Sequence, residues 1–351
     1  IRRVQQEGSL KVSYKDDSDS RSAVTRADVE AQSFIIDSIT NYWQTRKGEI
    51  PNIIGEEDQG MTKNNNACSS LVVRLRGNLV QPNSFFSPME TAQPLLPSIQ
   101  SLSQVTLYVD PLDGTREFVE GRYENVSCLI GISIHGRPVA GVIGLPFATT
   151  ETEKEDDVHV VYGLVGRGIG YCTANYNCLE KTITEMTCGQ PGIPTSYINE
   201  QRTRNNNASL MTGDSFDRSP LLSNMLTVAR VALEKDDVTV QHDIVGGAGK
   251  KMLLCAYASC CTSSTNNQRV QFSFKKQSTY LWDTCAPEAI LHAVGGKVTD
   301  AFGSPLVYNT NKLFTKNSLG VIASCSHGRN YHDAICRTLV FMKETSSTSL
   351  L

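Results

Sequence analysis

The chain has 351 residues, and at ~150 residues per domain that length predicts about two domains. Apolar residues make up 40% and charged residues 20%, ordinary globular usage that excludes collagen-like and broadly disordered chains. A formal net charge of −3 excludes a strongly basic nucleic-acid or membrane-surface protein, and no apolar run approaches the ~20 residues of a membrane span. The chain starts at Ile1-Arg2-Arg3 without an initiator Met, as expected of a trimmed or incomplete sequence. Its 11 cysteines form no Cys-x-x-Cys pair. Together with the Lys and Glu content they suit an intracellular, cytoplasmic enzyme with reduced thiols, an organellar address being left open.

Residues 1–24 are polar and charged and read as a loop. From Thr25 the pattern changes. Asp28 and Glu30 fall in a first turn, and Val29, Phe34, Ile35, Ile36 and Ile39 recur at helical spacing. Ile53-Ile54-Gly55 reads as a short strand ending at a turn. The stretch 59–104, rich in Asn, Ser, Pro and Gln, reads as loop with one strand near 71–75. Residues 105–109 form an apolar strand ending at Asp110. Apolar runs at 126–134 and 139–143 flank His135-Gly136-Arg137 and predict a hairpin. An acidic stretch at 151–157 separates two halves, 1–150 and 151–351. In the second half 158–164 reads as a strand and 173–208 as polar and irregular. A helix is expected at 221–233, and another runs from Gly246-Gly247-Ala248-Gly249 to Ala258. A polar insertion at 262–280 precedes a helix at 286–294, which Gly295-Gly296 stops. Strands and helices mix in both halves, so the fold class is α/β, of mixed α+β character.

The clearest chemical signal is Asp110-Pro111-Leu112-Asp113-Gly114-Thr115, directly after a strand. Two carboxylates three residues apart, with Pro and Gly restraining the backbone, can aim at one point and hold a hard divalent cation. The same residues also make good turn chemistry. Taken singly, Glu56-Glu57-Asp58 reads as a solvated face, Asp283 after Trp282 as a helix N-cap, and Asp28 as a first-turn acid. Taken together, acids at strand ends and helix starts can converge on a site of two or three metals suited to hydrolysis.

These motifs, in this combination and order, resemble the lithium-sensitive inositol monophosphatase superfamily. The stretches 25–28, 55–58, 115–121, 245–251 and 282–296 are similar to its 3'(2'),5'-bisphosphate nucleotidase branch. The resemblance spans about residues 24–340, with insertions near 59–104, 147–208 and 262–280. It implies a layered αβαβα sandwich and a magnesium-dependent phosphomonoesterase with two or three ions and lithium as inhibitor. The implied reaction removes the 3'-phosphate of adenosine 3',5'-bisphosphate (PAP) by a metal-activated water, giving AMP and phosphate. The related sulfated nucleotide PAPS is the implied second substrate, giving APS.

By the same resemblance Glu56, Asp110, Asp113, Asp283 and the Leu112 carbonyl match metal ligands. Most of them fall in the first half, and the substrate contacts fall in the second. Thr115 and Asp28 match the pair that holds and deprotonates the water, and Glu57 orients a ligand. The Gly114 and Thr115 amides match a phosphate site, and Thr212, Gly247, Lys251 and Asp283 match substrate contacts. The branch usually shows a Thr-x-Ser-His-like stretch. Here Met211-Thr212-Gly213-Asp214-Ser215-Phe216 stands in its place, with Ser215 for the His. Two other readings stay open, an inositol polyphosphate 1-phosphatase acting on inositol 1,4-bisphosphate and a non-catalytic phosphonucleotide sensor. Asp113-Gly114-Thr115 and Ala286-Pro287-Glu288 favour the nucleotidase over the former. The complete acid set with Asp28 and Thr115 favours an enzyme over the latter. No nucleic-acid or membrane partner is expected, and both monomer and dimer are compatible with the sequence.

Overall fold

The computed structural model describes residues 1–15, 22–47, 49–59, 99, 101–147, 157–177, 182–191, 207–213, 226–227, 239–260, 269–273, 279–308 and 315–345. Ser215 and the strand expected at 71–75 lie outside them, as does all but 226–227 of the helix expected at 221–233.

Two sheets organise the chain. The first has seven strands in sequence order: β3 (Asn52–Gly55), β4 (Val105–Asp113), β5 (Ser127–Ile134), β6 (Arg137–Leu145), β7 (Asp157–Leu164), β8 (Gly168–Asn177) and β9 (Thr182–Pro191). β3 runs parallel to β4, and every later neighbour is antiparallel. The second sheet has the order β11-β10-β12-β14-β13, built from β10 (Asn207–Thr212), β11 (Thr239–Ile244), β12 (Arg269–Ser273), β13 (Lys297–Thr299) and β14 (Val321–Ser324). A short hairpin of β1 (Ser13–Tyr14) and β2 (Ala23–Val24) joins α1 (Arg2–Glu7) to α2 (Arg26–Lys47).

The helices fill the layers. α4 (Ala248–Cys260) and α5 (Leu281–Ala293) pack together between the sheets. Their buried side chains share one core with Tyr108, Leu129 and Ile143 of the first sheet and Val298, Val321 and Ala323 of the second. Ile39 of α2 joins Val105 and Leu107 on the outer face of the first sheet. α6 (Arg329–Thr345) buries Tyr331, Ile335 and Leu339 with Leu210 and Ile322 on the outer face of the second. The order from α2 to α6 is therefore the expected αβαβα sandwich. Among the described residues no helix is long and apolar enough to cross a membrane.

Some expectations need correction. The first sheet continues through β6 and β7, so the residue-150 boundary divides neighbouring strands of one sheet. Asp157, the last residue of the acidic stretch, opens β7, and the rest of that stretch lies outside the described residues. The polar stretch 173–208 carries the end of β8, all of β9 and the start of β10, because the ladder is made by backbone groups and polar side chains such as the threonines of β9 do not prevent it. The polar insertion at 262–280 carries β12. α5 starts at Leu281, not 286, so Asp283 is the third residue of its first turn and Tyr280 is the N-cap. Cys172 of β8 is disulfide-bonded, an exception to the reduced-thiol reading, while Cys128, Cys285 and Cys336 are thiols.

α5 lies very close to the first sheet, for a reason visible in the register. Gly131 pairs with Gly141, and Gly141 with Gly163, so three glycines line up across β5, β6 and β7. A Cβ on Gly131 would stand 2.5 Å from the Ala286 nitrogen, and one on Gly141 would stand 2.2 Å from the Ala286 carbonyl oxygen. One on Gly163 would meet Ile290 Cα at 3.1 Å. Glu288 pins the same helix. Its Oε2 accepts a 2.6 Å hydrogen bond from the Tyr308 hydroxyl, and Arg137 Nη2 lies 3.5 Å from Oε1. Burial pushes the Glu288 carboxyl up to about 7.

Gly141→Ala forces a methyl against backbone atoms that cannot give. It should destabilise the protein by about 1–3 kcal/mol, read as a lower urea midpoint. An unchanged midpoint would show that α5 is not seated on this row.

Candidate active site and metal centre

β4 is buried along its whole length, and its last residues carry the acids. Along a regular strand, residues three apart point to opposite faces. Here Asp110 pairs with Leu129 and Asp113 with Ser127, so three steps on β4 match two on β5. The extra residue is a bulge, which returns Asp113 to the side of Asp110. Pro111 is tolerated there because a bulge does not need its missing N–H. The Leu112 amide donates to Asp110 Oδ1 at 3.0 Å and closes the bulge. Gly114 follows at φ +88, a left-handed conformation in which a Cβ would also press on the Asn125 carbonyl oxygen.

Asp113 joins the two halves of the structure. Its Oδ1 accepts from the Ala248 amide at 3.0 Å, and its Oδ2 from the Gly249 amide at 2.8 Å and the Ser127 hydroxyl at 2.9 Å. The amides are orphan donors at the N-terminus of α4, where a carboxylate is favoured. Asp283 arrives from the first turn of α5, with its Oδ2 accepting from the Tyr280 amide at 2.5 Å. Oxygen atoms of Asp110, Asp113 and Asp283 all lie within 4.8 Å of one another.

A fourth acid stands nearby. β3 and β4 are parallel, so both end on the same side, and Glu56 follows β3 directly. The Glu57 amide donates to Gln32 Oε1 at 3.0 Å, which ties this turn to α2. Lys15 Nζ donates to Glu56 Oε1 at 2.9 Å and to Glu57 Oε1 at 2.8 Å.

Asp28 lies on the other flank, fully buried in the first turn of α2. Its Oδ2 accepts from the Thr25 amide at 2.7 Å and the Thr25 hydroxyl at 2.6 Å. Its Oδ1 lies 2.8 Å from the Thr115 hydroxyl, which is also 3.1 Å from the Leu112 carbonyl oxygen. Burial, only partly offset by these bonds, raises the Asp28 carboxyl above its ordinary value.

The electrostatics test whether the cluster suits a cation. Burial pushes Asp110 and Asp283 well above the usual carboxylate range, and the field of Glu56 pushes both further. Burial also raises Asp113, against the pull of the α4 amides and Lys251. Two ionised carboxylates about 5 Å apart repel by roughly 3–4 kcal/mol at an effective dielectric of ~20. Converging oxygens with no soft or nitrogen ligand among them match a hard divalent cation, whose charge turns this repulsion into attraction. The donor set fits such an ion.

Two buried carboxylates, of Asp110 and Asp113, and the partly buried one of Asp283 meet beside the Asp28–Thr115 pair. Residues 1–344 match the inositol monophosphatase family. The chain belongs to that family. It is 30% identical over 333 residues to the 3'(2'),5'-bisphosphate nucleotidase 1 of Homo sapiens, covering 94% of this chain and 86% of that protein. It is 29% identical over 341 residues to the protein of the same name from Dictyostelium discoideum, covering 95% and 91%. The solved Thermotoga maritima IMPase has the same fold, with a TM-score of 0.50 at 16% identity, covering 97% of this chain and 93% of that one. The chain is a phosphatase, a hydrolase of the inositol monophosphatase family.

In this inositol monophosphatase family member the other expected residues are placed as follows. Glu56 lies next to the acidic cluster, and its field reaches Asp110 and Asp283. Gly247, at φ +68, stands where a Cβ would lie 3.0 Å from Asp113 Oδ2, so it lets α4 approach the cluster. Thr212 closes β10, and its carbonyl accepts from the Val245 amide beside that turn. Lys251 is buried, and its Nζ donates to the carbonyls of Val245 at 3.1 Å and Gly247 at 2.7 Å. It braces the glycine turn in this conformation.

Three contributors carry no mark in the sequence. Ser127 opens a strand and is the middle of no motif, yet its hydroxyl holds Asp113. Lys15 lies in a charged stretch read as loop. His242 sits on β11, where its Nε2 is 2.7 Å from the Thr212 hydroxyl, and only the strand pairing brings the two together.

Ser127→Ala leaves Asp113 to the two helix amides alone. It should lower metal affinity or activity by roughly 10–100-fold with the far-UV circular dichroism unchanged. Wild-type values in that variant would show that the hydroxyl does not orient the carboxylate.

Proposed function

We propose that this phosphatase is a magnesium-dependent 3'(2'),5'-bisphosphate nucleotidase, which converts PAP to AMP and phosphate and accepts PAPS as a second substrate. The observation that carries the reading is the Asp28–Thr115 pair standing beside the carboxylates of Asp110, Asp113 and Asp283. Similarity to bisphosphate nucleotidases over nearly the whole chain supports the substrate class.

Two or three magnesium ions, held by Glu56, Asp110, Asp113, Asp283 and the Leu112 carbonyl, would polarise phosphate oxygens and acidify water, and lithium would compete for one position. The protein's own residues do the rest. Thr115 donates its proton toward Asp28 Oδ1, which leaves its oxygen lone pairs to accept from an attacking water. As the water attacks phosphorus, its proton passes to Thr115 and the Thr115 proton passes to Asp28. Thr25 keeps Asp28 Oδ2 occupied, so the free oxygen faces Thr115. A buried carboxyl with a raised pKa is suited to take that proton. The Gly114 and Thr115 amides, at the start of α3 (Thr115–Val119), would donate to the phosphate. Glu57 would steady the Glu56 turn, while Thr212, Gly247 and Lys251 would serve the nucleotide side of the site.

Phosphate release from adenosine 3',5'-bisphosphate and inositol 1,4-bisphosphate, each with magnesium and with added lithium, tests the assignment. Lithium-sensitive turnover of the nucleotide is expected. Preference for the inositol ester would move the chain to the inositol polyphosphate 1-phosphatase reading, and silence on both would favour the sensor. Asp113→Asn should abolish turnover with the fold intact, and near-normal activity would refute the metal assignment. Thr115→Ala should lower kcat by roughly 10²–10⁴-fold with little change in KM. A loss confined to KM would place Thr115 in binding instead.

A further inference from the structure

Asp110 belongs to β4 and Asp283 to α5, so their carboxylates face one cation only while the helix keeps its place along the sheet. The glycine row lets α5 lie close to β5, β6 and β7. A row without side chains gives little grip against sliding along the helix axis.

Tyr308 supplies that grip. Its amide donates to the Gly136 carbonyl at 3.1 Å, in the turn between β5 and β6. Arg137 Nη1, at the start of β6, donates to the Leu306 carbonyl at 2.5 Å. Two residues before Asp110, the Tyr108 ring meets the Tyr308 ring edge to face, with centroids 5.5 Å apart. The buried Tyr308 side chain is thus fixed in the frame of the first sheet.

Its hydroxyl reaches α5. It lies 2.6 Å from Glu288 Oε2 and 3.1 Å from Thr284 Oγ1, two residues one turn apart on the same face. Burial and the neighbouring Glu288 charge hold this hydroxyl well above the ordinary tyrosine range, so it keeps its proton. The shorter bond gives that proton to Glu288. Thr284 directly follows Asp283. Its hydroxyl donates to the Tyr280 carbonyl at 3.2 Å, and Asn317 Nδ2 donates to the same carbonyl at 3.0 Å. The Tyr280 amide is the donor to Asp283 Oδ2. A buried chain from Glu288 through Tyr308 and Thr284 therefore ends on the residue that orients Asp283.

We propose that Tyr308 is a positioning residue for the metal centre: its hydroxyl, anchored on Glu288, fixes α5 along the first sheet and so sets Asp283 against Asp110. The proposal rests on the metal reading above. Without the hydroxyl α5 stays seated on the glycine row but can shift along it. Magnesium demands near-ideal octahedral geometry, so a small shift of one carboxylate weakens its binding. Glu288 serves as an acceptor here, not as a charge for the cation, and a neutral acceptor of the same length replaces it.

The test uses the full chain and magnesium alone, without substrate. In calorimetric titration Tyr308→Phe, which keeps the ring, should bind magnesium roughly tenfold more weakly than the wild type. Glu288→Leu should weaken binding equally, and Glu288→Gln should bind as the wild type does. The double variant Tyr308→Phe with Glu288→Leu should lose no more than either single change, because both act through one hydroxyl. Ile335→Val trims the buried core on the outer face of the second sheet, lowers stability alone, and should leave magnesium binding unchanged. Wild-type affinity in Tyr308→Phe overturns the proposal. So does a loss shared by Ile335→Val or Glu288→Gln, and so do losses that add in the double variant. If magnesium binds the wild type and is lost in Asp113→Asn while Tyr308→Phe binds normally, only the positioning role fails. If the wild type binds no magnesium, the metal reading fails and this proposal with it.

Discussion

Mutual repulsion among buried carboxylates is the constraint around which this protein is arranged. Asp110, Asp113 and Asp283 bring their oxygens within 4.8 Å of one another, with Glu56 close by. Left to themselves such groups would separate or take up protons. Three different elements hold them instead. A bulge places Asp110 and Asp113, the first turn of α5 places Asp283, and the end of β3 places Glu56. The stress is carried by backbone hydrogen bonds to three of these side chains, from the amides of Leu112, Ala248, Gly249 and Tyr280. A cation relieves stress that the fold has already accepted.

The layered architecture explains how sequence-distant acids meet. The central helix pair touches both sheets, and both α4 and α5 direct an N-terminus toward the end of β4. Asp113 caps α4 and Asp283 belongs to α5, so the first sheet and the helix layer meet at the acidic cluster. Asp28 enters from α2, on the far side of the first sheet, by way of a single hydroxyl, that of Thr115. Asp28 therefore belongs to the outer helix layer, while Gly114 alone separates Asp113 from Thr115 in the chain.

Much of this was legible in the residues. The apolar runs of β4, β5 and β6 marked themselves, and so did Asp110-Pro111-Leu112-Asp113 at a strand end. The start of α5 was misplaced, because Asp283 looks like a cap when Tyr280 is not considered one. β9 was read as irregular, since a strand with polar residues on it lacks the alternation of a half-buried one. Lys15, Ser127 and His242 were invisible for a different reason. Each acts on a residue that is 14 to 42 positions away and becomes its neighbour only through strand pairing or a hairpin. Local pattern cannot encode a partner chosen by topology.

The glycine row under α5 has a consequence for engineering. Replacing glycine by alanine in a strand is a common way to stiffen the unfolded chain less wastefully and raise thermal stability. At Gly131, Gly141 and Gly163 that route is closed, because helix backbone fills the space a methyl would need. The high unfolded-chain entropy of these glycines is a standing cost of bringing Asp283 to its place. Thermostable variants of this enzyme would have to draw their gains from the outer layers, around α2 and α6, where side chains rather than backbone meet the sheets.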